Sequence, residues 1–193
     1  ELINVHSTIN LSANAMSLTG GIAGEVLGGE IQKSSFRGNI TVANTASILV
    51  GSIGGISGDL VNGYISDSYA SSIITATASN TSNFNCGGGS GYSYGSNISR
   101  SYFAGSISCP GTNMKTGGLV GHLENTFLSQ NFTASTVDRT VAPNATGSLI
   151  GISVNSTYDS NYFDSTLSQS SECNHALPAA CTGVNDGLTQ ATY

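Results

Sequence analysis

Charge is what this chain has least of. Its 193 residues include 5 Lys and Arg and 11 Asp and Glu, 8% of the total, where a soluble domain usually carries about 25%. Trp is absent, Met occurs twice and Pro three times. Ordinary helical proteins are excluded, because helices draw heavily on Ala, Leu, Glu, Lys and Arg. Five cations within a net charge of −6 form no basic stripe that could neutralise phosphates, so nucleic acid is not expected as a partner. No apolar run approaches the roughly 18 residues of a spanning helix, so membrane insertion is not expected either. The chain opens on Glu1 with no secretory leader, which reads as the product of cleavage or as an excised piece of a longer protein.

Ser, Thr, Asn and Gly make up almost half the chain, while Ile, Leu, Val and Phe number 44. That apolar share is just above the roughly 20% at which a core can form. The composition is that of an uncharged, turn-rich, all-β protein. The four cysteines are even in number: Cys86, Cys109, Cys173 and Cys181. In so Lys-poor and Ser/Thr-rich a chain they favour disulfides and an oxidising compartment. Cys86–Cys109 with Cys173–Cys181 closes the shortest loops among the three possible pairings. The competing reading is zinc on Cys173, His175 and Cys181, whose spacing matches no closed zinc pattern.

A glycine motif recurs five times. Gly20-Gly21-Ile22-Ala23-Gly24 returns at 54–58, 87–91, 117–121 and 147–151. Seven residues after each final glycine stand Ile31, Ile65, Ile98, Leu128 and Tyr158. Eleven after it stand Ser35 (followed by Phe36), Tyr69, Tyr102, Phe132 and Tyr162, and sixteen after it Ile40, Ile74, Ile107, Val137 and Leu167. The aliphatic place ahead of that glycine holds Ile22, Ile56, Leu119 and Leu149, with Ser90 read there in the third copy. A unit of 30–34 residues with about four inward positions cannot bury its own face, and stacking turns the columns into ladders. The expected fold is a single parallel β-solenoid of about five coils, right-handed as parallel crossovers are. Its glycine pairs are expected to form corners with φ > 0. Residues 1–18 read as the tail of a preceding coil, 19–167 as the repeat array and 168–193 as a disulfide-closed cap.

Gly117-Gly118-Leu119-Val120-Gly121, followed by an aliphatic and an aromatic residue, resembles the GLUG-motif repeats of bacterial surface proteins. Asn161-Tyr162-Phe163-Asp164-Ser165-Thr166, followed by Gly187-Leu188-Thr189-Gln190-Ala191, resembles the closing segment of such arrays. The cysteines, the third copy and the insert at 76–86 depart from the pattern. The resemblance implies a solenoid in a secreted or surface-anchored adhesin, with no chemistry of its own.

No catalytic constellation emerges. His122-Leu123-Glu124 lacks the second histidine of a zinc-peptidase motif and reads as a solvated turn. Stacking places Glu25 beside Asp59, either as a surface pair, a weak cation site or an acid pair of the kind a glycosidase uses. Seven Asn-x-Ser/Thr sequons, at Asn10, Asn39, Asn80, Asn97, Asn131, Asn144 and Asn155, hardly exceed the roughly five that chance provides. No cofactor and no metal is expected. Lys33, Asp67 and Arg100 share a polar column nine residues after the glycine, where their alternating charge would favour one register. In the irregular third copy, Phe84, Tyr92 and Tyr94 among Gly and Ser have the composition of a recognition surface; the alternative is that Tyr92 or Tyr94 fills the gap that Ser90 leaves in the apolar column. The expected function is non-enzymatic recognition of a glycan or protein on a target cell, at the cell surface or outside the cell. A polysaccharide lyase or hydrolase built on a β-helix is the alternative.

Overall fold

A computed structural model describes residues 1–13, 18–43, 50–77, 83–111, 113–138, 145–167, 173 and 181–184. The chain is a parallel β-solenoid of about four turns, close to the five coils expected, with no α-helix among the described residues. Each coil contributes to four sheets in turn. Its first strand ends on the first glycine of the pair (Val50–Gly54 in the second coil) and its second follows that corner (Ser57–Val61). A short third strand (Tyr64–Ser66) and a long fourth (Tyr69–Thr77) complete it. At the start of the stack, Leu2 pairs with Ile31, His6 with Ser35 and Leu11 with Ile40. At the other end, Thr182–Val184 adds a strand to Tyr162–Asp164.

Two corners of every coil rest on left-handed residues. One column holds Gly28, Asn62, Gly95, Asn125 and Asn155, and the other Lys33, Asp67, Arg100, Gln130 and Ser160, all with φ of 46–61°. The glycine pairs, expected to supply positive φ, do not: Gly54 and Gly88 lie outside that region. They are glycines because a Cβ there would strike backbone, the Ser57 carbonyl in one case and the Gly118 carbonyl in the other.

A buried polar residue follows each left-handed one of the second column. After the second column come Ser34, Ser68, Ser101, Asn131 and Asn161, none more than 3% exposed. Their side-chain oxygens accept the N–H of the same position one coil earlier. Ser34 N–H donates to Ser68 Oγ (3.1 Å), Ser68 N–H to Ser101 Oγ (3.3 Å), Ser101 N–H to Asn131 Oδ1 (3.1 Å) and Asn131 N–H to Asn161 Oδ1 (3.1 Å). Each of these serines also donates to a carbonyl two residues back, and Asn131 Nδ2 donates to the Ile98 carbonyl (2.8 Å). A second ladder of the same design links Gly63, Ser96, Thr126 and Ser156. Neither ladder stands out in the sequence, where Ser and Asn are everywhere. Asn131 is fully buried, which removes its sequon as an acceptor in the folded chain.

The aliphatic ladders are in the expected register: Ile31, Ile65, Ile98 and Leu128 pair in sequence, as do Ile40, Ile74, Ile107 and Val137. Leu167 falls in a turn instead. The aromatic column is also in register but points the other way. Tyr69, Tyr102 and Phe132 are half-buried and Tyr162 is exposed, while the next residue in each coil fills the core: Phe36, Ala70, Phe103, Thr133 and Phe163. Large and small residues alternate along that inner column, as layers spaced about 4.8 Å apart require of side chains as thick as a tilted ring.

The third coil needs a further correction. Ser90 pairs with Ser57 and Val120, so the place of Ile56 and Leu119 belongs to Gly89. A Cβ on Gly89 would run into the tip of the Phe103 ring. Phe103, not Tyr92 or Tyr94, therefore occupies the space that the missing aliphatic leaves. Both disulfides pair as expected, Cys86–Cys109 within this coil and Cys173–Cys181 at the end. The Cys173 carbonyl accepts the N–H groups of Leu149 and Ile150, as the Leu149 carbonyl does for Leu119 and Val120. The second disulfide thus joins the segment closing the glycine corner to the one closing the fourth sheet. The 187–191 run, His175 and the sequons at Asn80 and Asn144 lie outside the described residues.

Because Phe103 and Gly89 share one space, their substitutions should be coupled. Phe103→Ala is expected to cost about 4 kcal/mol through the cavity it opens. Gly89→Leu alone should destabilise by collision, yet recover part of the loss when added to Phe103→Ala. Urea unfolding of the three variants checks this, and additive effects would contradict the shared space.

Candidate functional groove

Along the fourth sheet, side chains alternate between core and solvent. The outer face carries the aromatic column Tyr69, Tyr102, Phe132 and Tyr162, and beside it Arg37, Ser71, Ala104 and Ala134, one per coil. Rings standing next to such small side chains leave a trough between them. The trough is a groove of about 810 Å³, walled on its other side by Arg100 and Gln130 of the left-handed corner column.

The groove walls are held in place. The Tyr102 and Phe132 rings stack with centroids 5.7 Å apart and planes 10° from parallel. Arg37 lies with its guanidinium carbon 5.3 Å from the Tyr69 ring centroid, and its Nε donates to the Tyr69 hydroxyl (2.6 Å). Arg100 forms a two-pronged ion pair with Asp67, at 2.7 and 2.9 Å. This pair lowers the Asp67 carboxyl below its ordinary range, chiefly by the hydrogen bond from Arg100 and with a smaller contribution from Lys33. The charge alternation read from the sequence therefore closes between Asp67 and Arg100, whereas Lys33 acts on Asp67 only through its field.

The residues expected to bind a ligand do not assemble. Phe84 is fully buried within Asn83–Gly87 and belongs to the core. Tyr92 packs tilted against His122, with centroids 5.2 Å apart and planes at 47°, and donates to Glu124 Oε2 (3.1 Å). Tyr94 is 38% exposed. Both tyrosines sit on the second sheet, away from the aromatic column. In the sequence the aromatic residues of this groove read as a core column, whereas the structure turns them outward. The usable signal was the neighbouring column, where Phe36, Phe103 and Phe163 claim the inside.

The second sheet carries its own line of titratable groups: Glu25, Asp59, Tyr92 and His122 are successive neighbours across the coils. The expected stacking of Glu25 on Asp59 is present. His122 lies in the strand Val120–Glu124, half-buried, and not in a solvated turn. Burial raises the Asp59 carboxyl, with a hydrogen bond from Ser52 opposing and the charge of Glu25 reinforcing the shift. Burial, with the adjacent Glu124, pushes the Tyr92 phenol up to about 12. Burial also lowers Lys115, and it lowers His122 with help from Lys115 and against Glu124. Among the described residues, no group of three or more His, Cys, Asp or Glu is placed to hold a metal ion. The Cys173–Cys181 bond takes both sulfurs from the zinc alternative. No protein-family model, no curated protein and no solved structure matches the chain.

The sign of the His122 effect is testable. The unfolded chain protonates His122 near the ordinary imidazole value of about 6.5, and the folded chain only at lower pH. Between the two the unfolded state binds more protons, so stability falls as pH drops through that window. Raised Asp59 works in the opposite sense, lower down in the carboxylate range. Urea midpoints across mildly acidic pH should slope accordingly in the native chain, and the slope should be smaller in His122→Gln. Equal slopes in the two would contradict the assignment.

Proposed function

We propose that this chain is a non-enzymatic recognition module of a secreted or surface-anchored protein, and that its outer groove binds a glycan on a target surface. The observation that supports this reading is the ladder Tyr69, Tyr102 and Phe132, open to solvent and backed by a rigid sheet. Aromatic faces bind the apolar faces of sugar rings at little entropic cost, and the guanidinium groups and Gln130 supply hydrogen bonds at the groove wall. Two disulfides fit an oxidising, extracellular-type environment. The likeness of the glycine motifs to bacterial GLUG arrays points to the same setting.

A second reading, a polysaccharide lyase or hydrolase, has the second-sheet line Asp59, Tyr92 and His122 in its favour. It requires turnover of a polysaccharide that is lost in Asp59→Asn.

The recognition reading is checked by screening the folded chain on a glycan panel and on fixed cells. Tyr102→Ala with Phe132→Ala should weaken the leading interaction at least about tenfold, or about 1.4 kcal/mol. Tyr92→Ser with Tyr94→Ser should leave it intact. Absence of any glycan or cell binding would sink the reading, and full binding by the Tyr102/Phe132 variant would remove the groove from it.

A further inference from the structure

We propose that the groove selects an acidic oligosaccharide, laid along the solenoid axis with a carboxylate or sulfate on Arg37 and its sugar rings over Tyr102 and Phe132. This rests on the recognition reading above and specifies the class of ligand.

Charge distribution is the first argument. The chain has a net charge of −6 and only five Lys and Arg. Two of the four that are described, Arg37 and Arg100, line this one groove, and among the described residues no carboxylate lines it with them. Were cations placed only for solubility, they would be scattered. Instead, half of the described cations stand beside the aromatic ladder of an acidic protein.

The state of the two arginines is the second argument. Arg100 is occupied, because Asp67 takes its Nε and one terminal nitrogen. Arg37 has no carboxylate partner among the described residues. Its Nε donates to the Tyr69 hydroxyl, and its guanidinium carbon lies over the Tyr69 ring, 5.3 Å from the centroid. That contact fixes the orientation of the fork and leaves the two terminal nitrogens with donors to offer. An arginine held this way is pre-organised for an oxyanion and loses little freedom on binding one. A neutral glycan would cover the same guanidinium without replacing its water by a charged acceptor, which costs affinity.

Direction follows from the register. The aromatic residues rise one per coil, about 4.8 Å per layer, with the Tyr102 and Phe132 centroids 5.7 Å apart. This matches the advance of an extended sugar chain running along the axis. Arg37 stands at the first-coil end of the ladder, beside Tyr69, so the charged unit lies at that end and at least two further units reach Phe132. A single-stranded nucleic acid would also stack on the rings, but it needs cations all along its backbone. Among the described residues the cations of this groove are Arg37 and Arg100 alone.

The test uses the intact chain and four probes in low salt: an oligogalacturonate hexasaccharide, a heparin-derived hexasaccharide, cellohexaose and a hexathymidylate. Calorimetry is expected to show one of the two acidic saccharides bound at least about tenfold tighter than cellohexaose, which also tells carboxylate from sulfate. Arg37→Gln should abolish that preference with its melting temperature unchanged, and Tyr102→Ala should weaken acidic and neutral saccharides together. Equal binding of acidic and neutral saccharides, or a preference that survives Arg37→Gln, would overturn the inference while leaving glycan recognition standing. Hexathymidylate bound as tightly as the acidic saccharides would also overturn it. Failure of all saccharides in the probe set and in the wider panel would remove the recognition reading and the inference together.

Discussion

The corners are where a solenoid is most exposed to failure, and here they depend on one interaction. A side-chain oxygen in one coil accepts the N–H of the equivalent residue in the coil before it. At a corner the strands stop pairing, and a buried N–H left without a partner costs about 1–3 kcal/mol. Ser68, Ser101, Asn131 and Asn161 each remove that cost for the coil before, and the second ladder through Ser96, Thr126 and Ser156 does so at the neighbouring corner. The left-handed residue ahead of each turns the chain so that the polar side chain points inward. Because every bond joins equivalent positions, a slip of one residue would break the whole column at once.

Register fixed at the corners has consequences on both faces of the fourth sheet. Inside, it brings Phe36, Phe103 and Phe163 into alternation with Ala70 and Thr133, so that each ring finds a small neighbour above and below. Outside, it aligns Tyr69, Tyr102 and Phe132 beside Ser71, Ala104 and Ala134 and so creates the groove. The cap continues the same logic, since Cys173 and Thr182–Val184 supply the bonding partners that a further coil would have supplied. The outer aromatic ladder is a by-product of stacking: a rigid sheet presents one ring per layer, at Tyr69, Tyr102 and Phe132.

Much of the architecture was legible from residue types. Ile31, Ile65, Ile98 and Leu128 announce an inward ladder because only a buried position would hold aliphatics in phase with the glycine motif in so polar a chain. The disulfide pairing was legible from loop length. Three things were not. Tyr69, Tyr102 and Phe132 are apolar enough to pass for core, and aromatic character alone does not tell which face a strand residue takes. The true inner column mixes Phe, Ala and Thr, so no single residue type marks it. The corner ladder is written in Ser and Asn, which are too abundant here for five buried ones to be noticed. In the third coil, a glycine-rich stretch suggested a recognition loop at Phe84, Tyr92 and Tyr94, whereas Gly89 is there to make room for Phe103.

The claim on which the rest depends is that the buried corner oxygens hold the coils in register. Residue-resolved amide hydrogen exchange in the native chain reads it directly. The N–H groups of Ser34, Ser68, Ser101 and Asn131 lie at corners, where amides ordinarily exchange quickly. If their side-chain acceptors hold them, they exchange as slowly as the strand amides of Ile65 and Ile98. If they exchange orders of magnitude faster while those strand amides stay protected, the corners are not held by these bonds, and the register must come from elsewhere.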